Sequence, residues 1–199
     1  MADFDIALPI TLKFEGGWCD NPADPGGATN LGITMATFAH CAHPLLGIDP
    51  TVDNLRALTP AQAGIIYKAN YWAPIKADSY PLQELSNIVF DFYVNAGTHA
   101  SSLLQRVLNS MGVDPPLVVD GSIGAGTLAA LAKFPATEVY SAYKQGRIDY
   151  YTALGRNYPA FLDGWLNRVH AFPDLPGAIE ATAPVPQVVN GAAAAPPAP

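Results

Sequence analysis

The chain is 199 residues long, 50% hydrophobic, and carries a net charge of −7. That is enough apolar material for a full core, in one domain or two small lobes. The acidic balance argues against nucleic acid, which is held by Lys and Arg on phosphates, and against electrostatic adhesion to anionic membranes; no apolar run is long enough to span a bilayer.

Taken in chain order, the first helix is expected from about Asp3 to Phe14, with Phe4, Leu8 and Leu12 along one face and Pro9 in its first turn or kinking it. It runs into a single carboxylate, Glu15, followed by Gly16 and Gly17, which can take the left-handed conformation that closes a helix. A carboxylate at the negative helix pole, near the apolar walls of Phe14 and Trp18, suits a general acid. The stretch from Cys19 to Thr34 is dense in Gly, Pro, Asn and Asp and reads as a structured turn or β-hairpin. Asp24 stands nine positions after Glu15, and Thr29 five further on. This order suits a hydrolase of sugar acetals, in which one carboxyl protonates the glycosidic oxygen while a second group holds water or stabilises the oxocarbenium ion. Asp20, Asn21 and Asp24 read equally as side-chain caps of a tight loop.

Thr34 to Cys41 is a short helix after the hairpin, and Thr59-Pro60-Ala61-Gln62 has the form of a capping box opening a helix to about Tyr71. Leu82, Leu85, Ile88, Val89 and Phe92 mark an apolar helix ending near Gly97, the expected central core element. Leu103, Leu104, Val107, Leu108 and Met111 mark the next, stopped by Gly112. Asp120-Gly121 makes a turn, Gly124 and Gly126 permit close backbone approach, and Thr127 can cap the short helix that follows. A phosphate-loop reading of this glycine cluster fails, because no Lys-Ser/Thr follows it. A long helix near residues 137–154 and a short one carrying Phe161, Leu162 and Trp165 complete the set. After Phe172 the chain is rich in Pro and Ala and reads as an extended tail.

The stretches Phe14-Glu15-Gly16-Gly17-Trp18, Asp20-Asn21-Pro22-Ala23-Asp24-Pro25-Gly26-Gly27 and Thr29-Asn30-Leu31-Gly32-Ile33-Thr34 resemble the glycoside hydrolase family 108 lysozymes, the N-acetylmuramidases of phage endolysins and prophages. The second half resembles the peptidoglycan-binding helical module that accompanies them, through Asp120-Gly121 to Thr127-Leu128, Arg147, Tyr150, Tyr151 and Gly164-Trp165-Leu166-Asn167-Arg168-Val169. The resemblance implies a mainly α, lysozyme-like domain with a small β-hairpin over residues 1–97. A helical peptidoglycan-binding-like lobe continuous with it would span 98–172, with the tail over 173–199. It implies Glu15 as catalytic acid, with Asp24 and Thr29 positioning the attacking water by analogy with phage T4-type lysozymes; Ala28 stands where relatives often carry Glu. Trp18, Asn30, Tyr93 and Asn95 are the candidate substrate contacts, against core packing for Trp18 and a helix cap for Asn95. Tyr71 and Trp72 belong to the core or the cleft wall, and Arg168 is expected as a surface neighbour of Trp165.

The implied substrate is the peptidoglycan glycan strand, bound by shape and stacking since the charge has the wrong sign for wall polymers; a monomer is expected. No cofactor or metal is expected. Pro22 occupies a position where an EF-hand loop needs an oxygen ligand, and His40, Cys41 and His43 lack a fourth ligand nearby. Cys19 and Cys41 are expected as free thiols, with a bridge between them as the alternative. Met1-Ala2-Asp3-Phe4-Asp5 is acidic where an export signal would be basic, so residence in the host cytoplasm until holin-dependent release or injection is expected. The competing functions are a lytic transglycosylase on the same bond, a non-catalytic wall-binding phage or effector protein, and a chitinase-like specificity.

Overall fold

The structure, a computed structural model, describes residues 1–20 and 27–176. Asp24 and most of the expected tail lie outside the described residues. Helix α1 (Phe4–Leu12) opens on Asp3, whose side chain accepts from the Asp5 N–H at 2.8 Å. This is the bond that makes Asp a favoured cap. It buries Phe4, Ala7 and Thr11 and rests Leu8 and Leu12 on the core. Pro9 lies inside the helix and not in its first turn. Gln83 clamps the entry from across the fold, accepting from the Asp3 N–H at 2.6 Å and donating to the Asp3 carbonyl at 2.9 Å.

The predicted hairpin is present as β1 (Thr29–Asn30) and β2 (Ile33–Thr34), with Thr29 opposite Thr34 and Asn30 opposite Ile33. Leu31 (φ 50°) and Gly32 (φ 74°) form the two-residue turn. Two left-handed residues give the turn twist that matches paired strands. Cys19 joins as a third edge, exchanging both backbone hydrogen bonds with Thr29 at 2.8 Å. Cys19 is exposed, Cys41 is buried, and both are free.

Helix α2 (Met35–Cys41) starts on the Thr34 hydroxyl and leads into a π-helical turn over Ala42–Leu46. Helix α3 (Val52–Arg56), capped by Thr51, has no counterpart in the sequence reading. Helix α4 (Pro60–Tyr67) begins with the full capping box of Thr59 and Gln62. It is shorter than predicted, because a second π-helical turn takes over at Lys68–Trp72.

Helix α5 (Gln83–Ala96) is the central element, packed against α1, α6 (Thr98–Ser110) and α8 (Ala136–Gly155). Its buried positions run without a break from Leu85 to Phe92, taking Ser86, Asn87 and Asp91 inside with the apolar residues. Helix α9 (Pro159–His170) lies on α8. One core runs through both halves of the described chain, from Phe4 to Phe172.

The turn before α7 (Ala125–Leu131) corrects the sequence reading. Asp120 accepts from the Ser122 N–H at 2.8 Å, and Gly121 is the left-handed residue that lies close against Thr98 and Ser102. Gly124 and Gly126 face open space, Gly124 is the N-cap, and Thr127 is buried inside the helix, not capping it.

Candidate active site

Glu15 follows α1 by a short staircase: the Phe14 N–H donates to the Thr11 carbonyl at 3.0 Å and the Glu15 N–H to the Leu12 carbonyl at 3.3 Å. These bonds satisfy the helix-end carbonyls without a left-handed residue, and neither Gly16 nor Gly17 has a positive φ. The expectation that the glycine pair closes the helix is therefore corrected. The Glu15 side chain keeps 16% of its surface exposed, an edge position and not a solvated one.

Three elements converge on this carboxylate. From α9, Arg168 Nη2 donates to Oε1 at 2.8 Å. From the hairpin turn comes Gly32: a Cβ there would stand 2.6 Å from Glu15 Oε2 and 2.4 Å from Tyr67 Oη, so any side chain would displace one or both of them. From α4, the Tyr67 hydroxyl donates to the Leu31 carbonyl at 2.9 Å. Burial first, and then the Glu15 charge, push the Tyr67 hydroxyl well above its ordinary range, so it stays a neutral donor. The expected walls of Glu15 were Phe14 and Trp18. Instead the Phe14 ring lies under the Arg168 guanidinium at 5.1 Å, and the Trp18 ring under that of Arg56 at 4.5 Å.

Behind Arg168 stands Asp91, fully buried on α5. Arg168 grips it from one side, with Nε at 3.0 and 3.1 Å and Nη2 at 2.8 Å; Arg147 Nη2 donates to its other face at 2.6 Å. Burial would raise the Asp91 carboxyl, but the two guanidiniums and their hydrogen bonds outweigh it and hold the group below the ordinary carboxylate range. Arg147 is itself buried among the rings of Phe92, Tyr151 and Phe172. The result is an alternating chain, Arg147, Asp91, Arg168, Glu15, running from the interior to the surface.

Sequence reading found the outer end of this chain and missed the rest. Arg168 is not the surface neighbour of Trp165 that was expected; it is 4% exposed and 153 residues from its partner Glu15. The available signal was Asp91, a lone charge in the apolar run Ile88-Val89-Phe90-Asp91-Phe92.

The other candidates divide. Tyr93 is partly exposed and neighbours Tyr71, which neighbours Tyr67, giving a run of rings with centroids 5.3 and 6.5 Å apart that leads away from the carboxylate. Trp18 is partly exposed beside the hairpin. Thr29 sits on β1, part-buried, its backbone paired with Cys19. Asn30 and Asn95 face the interior: Asn30 donates to the Leu55 and Arg56 carbonyls at 2.9 and 3.0 Å, fastening the hairpin to α3, and Asn95 accepts from the Tyr151 hydroxyl. Trp72 is core, with Nε1 on Asp78 at 2.7 Å. Among the described residues no group of three or more His, Cys, Asp or Glu could hold a metal ion, and His40 is paired with the Ala36 carbonyl at 2.8 Å.

Residues 8–97 match the family described as glycosyl hydrolase 108, and residues 99–170 match one described as a predicted peptidoglycan domain. A solved structure of Brucella abortus SagA is 33% identical, with 85% of this chain and 94% of that chain covered at a TM-score of 0.61. No curated protein matches. The two matches and the mainly helical frame with one small hairpin define a glycoside hydrolase that acts on peptidoglycan. The chain belongs to the glycosyl hydrolase 108 family, and its fold is lysozyme-like and continuous with a helical peptidoglycan-binding lobe.

Proposed function

We propose that the protein is an N-acetylmuramidase in which Glu15 is the general acid, cleaving the β-1,4 bond from N-acetylmuramic acid to N-acetylglucosamine. The observation that carries this reading is the Glu15 carboxylate itself: held by a guanidinium on one oxygen, pressed against the glycine of the hairpin turn on the other, and still partly exposed. Glu15 gives its proton to the glycosidic oxygen, the bond from that oxygen to the anomeric carbon breaks, and water adds to the carbon and releases a proton that, through solvent, restores the Glu15 acid. Asp24 and Thr29, from the segment that follows Glu15, are the groups proposed to orient that water. Tyr93, Tyr71 and Trp18 offer the ring faces on which sugars stack.

Glu15→Gln keeps the shape and removes the proton. A folded protein whose activity on purified peptidoglycan is down about a hundred-fold or more is expected. Mass spectrometry of the wild-type digest is expected to show reducing N-acetylmuramic acid ends. A Gln variant that digests wall at the wild-type rate removes Glu15 from the mechanism, and 1,6-anhydro ends would assign a lytic transglycosylase instead.

A further inference from the structure

We infer that Arg168, on the last helix of the peptidoglycan-domain segment, is a positioning residue for Glu15: it fixes Oε1, leaves Oε2 to carry the transferable proton, and takes up the charge that forms as the proton leaves. The inference rests on Glu15 being the general acid.

Three observations carry it. A guanidinium has donors only, so an oxygen accepting from it at 2.8 Å cannot also present a proton to it. A carboxylic acid accepts better at its carbonyl oxygen than at its hydroxyl, so this bond favours Oε1 as the carbonyl and the proton on Oε2, the oxygen against Gly32. Second, the buried charges do not balance without Glu15. Asp91 supplies one negative charge and Arg147 with Arg168 two positive, and a single guanidinium would neutralise Asp91. The surplus positive charge points at Glu15, the other carboxylate in contact with it among the described residues. While Glu15 holds its proton the surplus is uncompensated in a largely dry site, where such a charge is costly; when the proton moves to the sugar oxygen, the carboxylate that forms completes the chain. Third, the guanidinium is not free to drift. Asp91 grips it through Nε and Nη2, and the Phe14 ring lies 5.1 Å from its centre. Such preorganisation stabilises developing charge without reorganisation at the moment of reaction.

The groups facing Glu15 are Arg168 from α9, Tyr67 from α4 and Tyr71 from the π-helical turn after it, with Asp91 of α5 acting through Arg168. Burial is the main cause that pushes both tyrosine hydroxyls up, and Asp91 is held down, so none of the three titrates near neutrality.

The test compares full-length wild type, Arg168→Gln, Arg168→Lys and Glu15→Gln on soluble peptidoglycan fragments, reading kcat and KM across pH. Arg168→Gln leaves the Asp91–Arg147 pair neutral, so it is expected to fold, as checked by circular dichroism. Its kcat is expected to fall about a hundred-fold with KM little changed. Arg168→Lys is expected to recover part of kcat, since a point charge replaces a fork. A loss of packing alone would lower the amount of folded enzyme and leave kcat per folded molecule unchanged, which overturns the inference. Wild-type kcat in folded Arg168→Gln, with Glu15→Gln inactive, overturns it while leaving the general acid in place. If Arg168→Gln does not fold, Arg168→Lys decides: reduced kcat supports the inference and wild-type kcat overturns it. An active Glu15→Gln instead removes the reading on which the inference rests.

Discussion

Glu15 and Gly32 belong together, because the carboxylate leans on the one turn position that has no side chain. A methyl group at Gly32 would overlap Glu15 Oε2 and Tyr67 Oη, and the residue's φ of 74° is strained for any L side chain. Gly32→Ala should therefore cost stability of about 1–2 kcal/mol from the backbone alone. It should lower kcat by much more than that loss implies, since Glu15 is pushed out of register; thermal melts beside steady-state rates would separate the two effects. At this scale the sequence was most legible where chemistry is local. Glu15 stood out as a single carboxylate between an apolar helix and a glycine pair, and the structure places it at a partly buried edge. Arg168 did not stand out, because nothing in a helix reading of Trp165-Leu166-Asn167-Arg168-Val169 says that one charged position faces inward. Asn30 and Asn95 looked like ligand groups for the same reason in reverse: an amide that fastens two carbonyls or a tyrosine is indistinguishable in sequence from one that meets a sugar.

Helix boundaries followed their caps more closely than their periodicity. The reciprocal Thr59–Gln62 bonds, at 3.0 and 3.3 Å, start α4 where the sequence placed them. Thr59→Ala is expected to cost about 1 kcal/mol, and to lower the melting temperature by about 2–4 °C for a domain of this size, without changing kcat. Differential scanning calorimetry with an activity assay would check both halves. The same helix was predicted to reach Tyr71, but the wider turn at Lys68–Trp72 shifts the phase of the side chains. Trp72 turns fully inward to Asp78 and Tyr71 stays half-buried beside Tyr93. A regular 3.6-residue pattern cannot express that change of phase. Helix α3 was missed because five residues are too few for a period to show, although Thr51 marks its start.

Across the whole molecule, the apolar pattern was enough to place the central helix, while the polar spine through it was invisible. Asp91 lies at the junction of the two matched segments, gripped from α8 and α9, so the ion cluster ties the halves into one cooperative unit. Its carboxyl is held below the ordinary range, so its contribution is complete above about pH 4, the unfolded value, and is lost as pH falls through the lower folded value. Asp91→Asn leaves Arg147 without its carboxylate and Arg168 with Glu15 alone, and should cost roughly 3–5 kcal/mol at neutral pH. Melting temperature measured against pH should show the gap between wild type and variant wide at neutrality and narrowing with acidification. A gap of constant width down to strong acid would mean that Asp91 is not the group whose charge holds the halves together.

The edge bridge between Cys19 and Thr29 has a practical corollary. Of the two sulfurs, one is in the open and the other is enclosed, with burial pushing the Cys41 thiol up and so away from its reactive form. Alkylating dyes thus have a single address on the native protein, four residues along the chain from Glu15 and stitched by its own backbone to the strand bearing Thr29. A fluorophore placed there sits beside the hairpin, and a change in its emission on adding soluble peptidoglycan fragments would report binding close to Glu15.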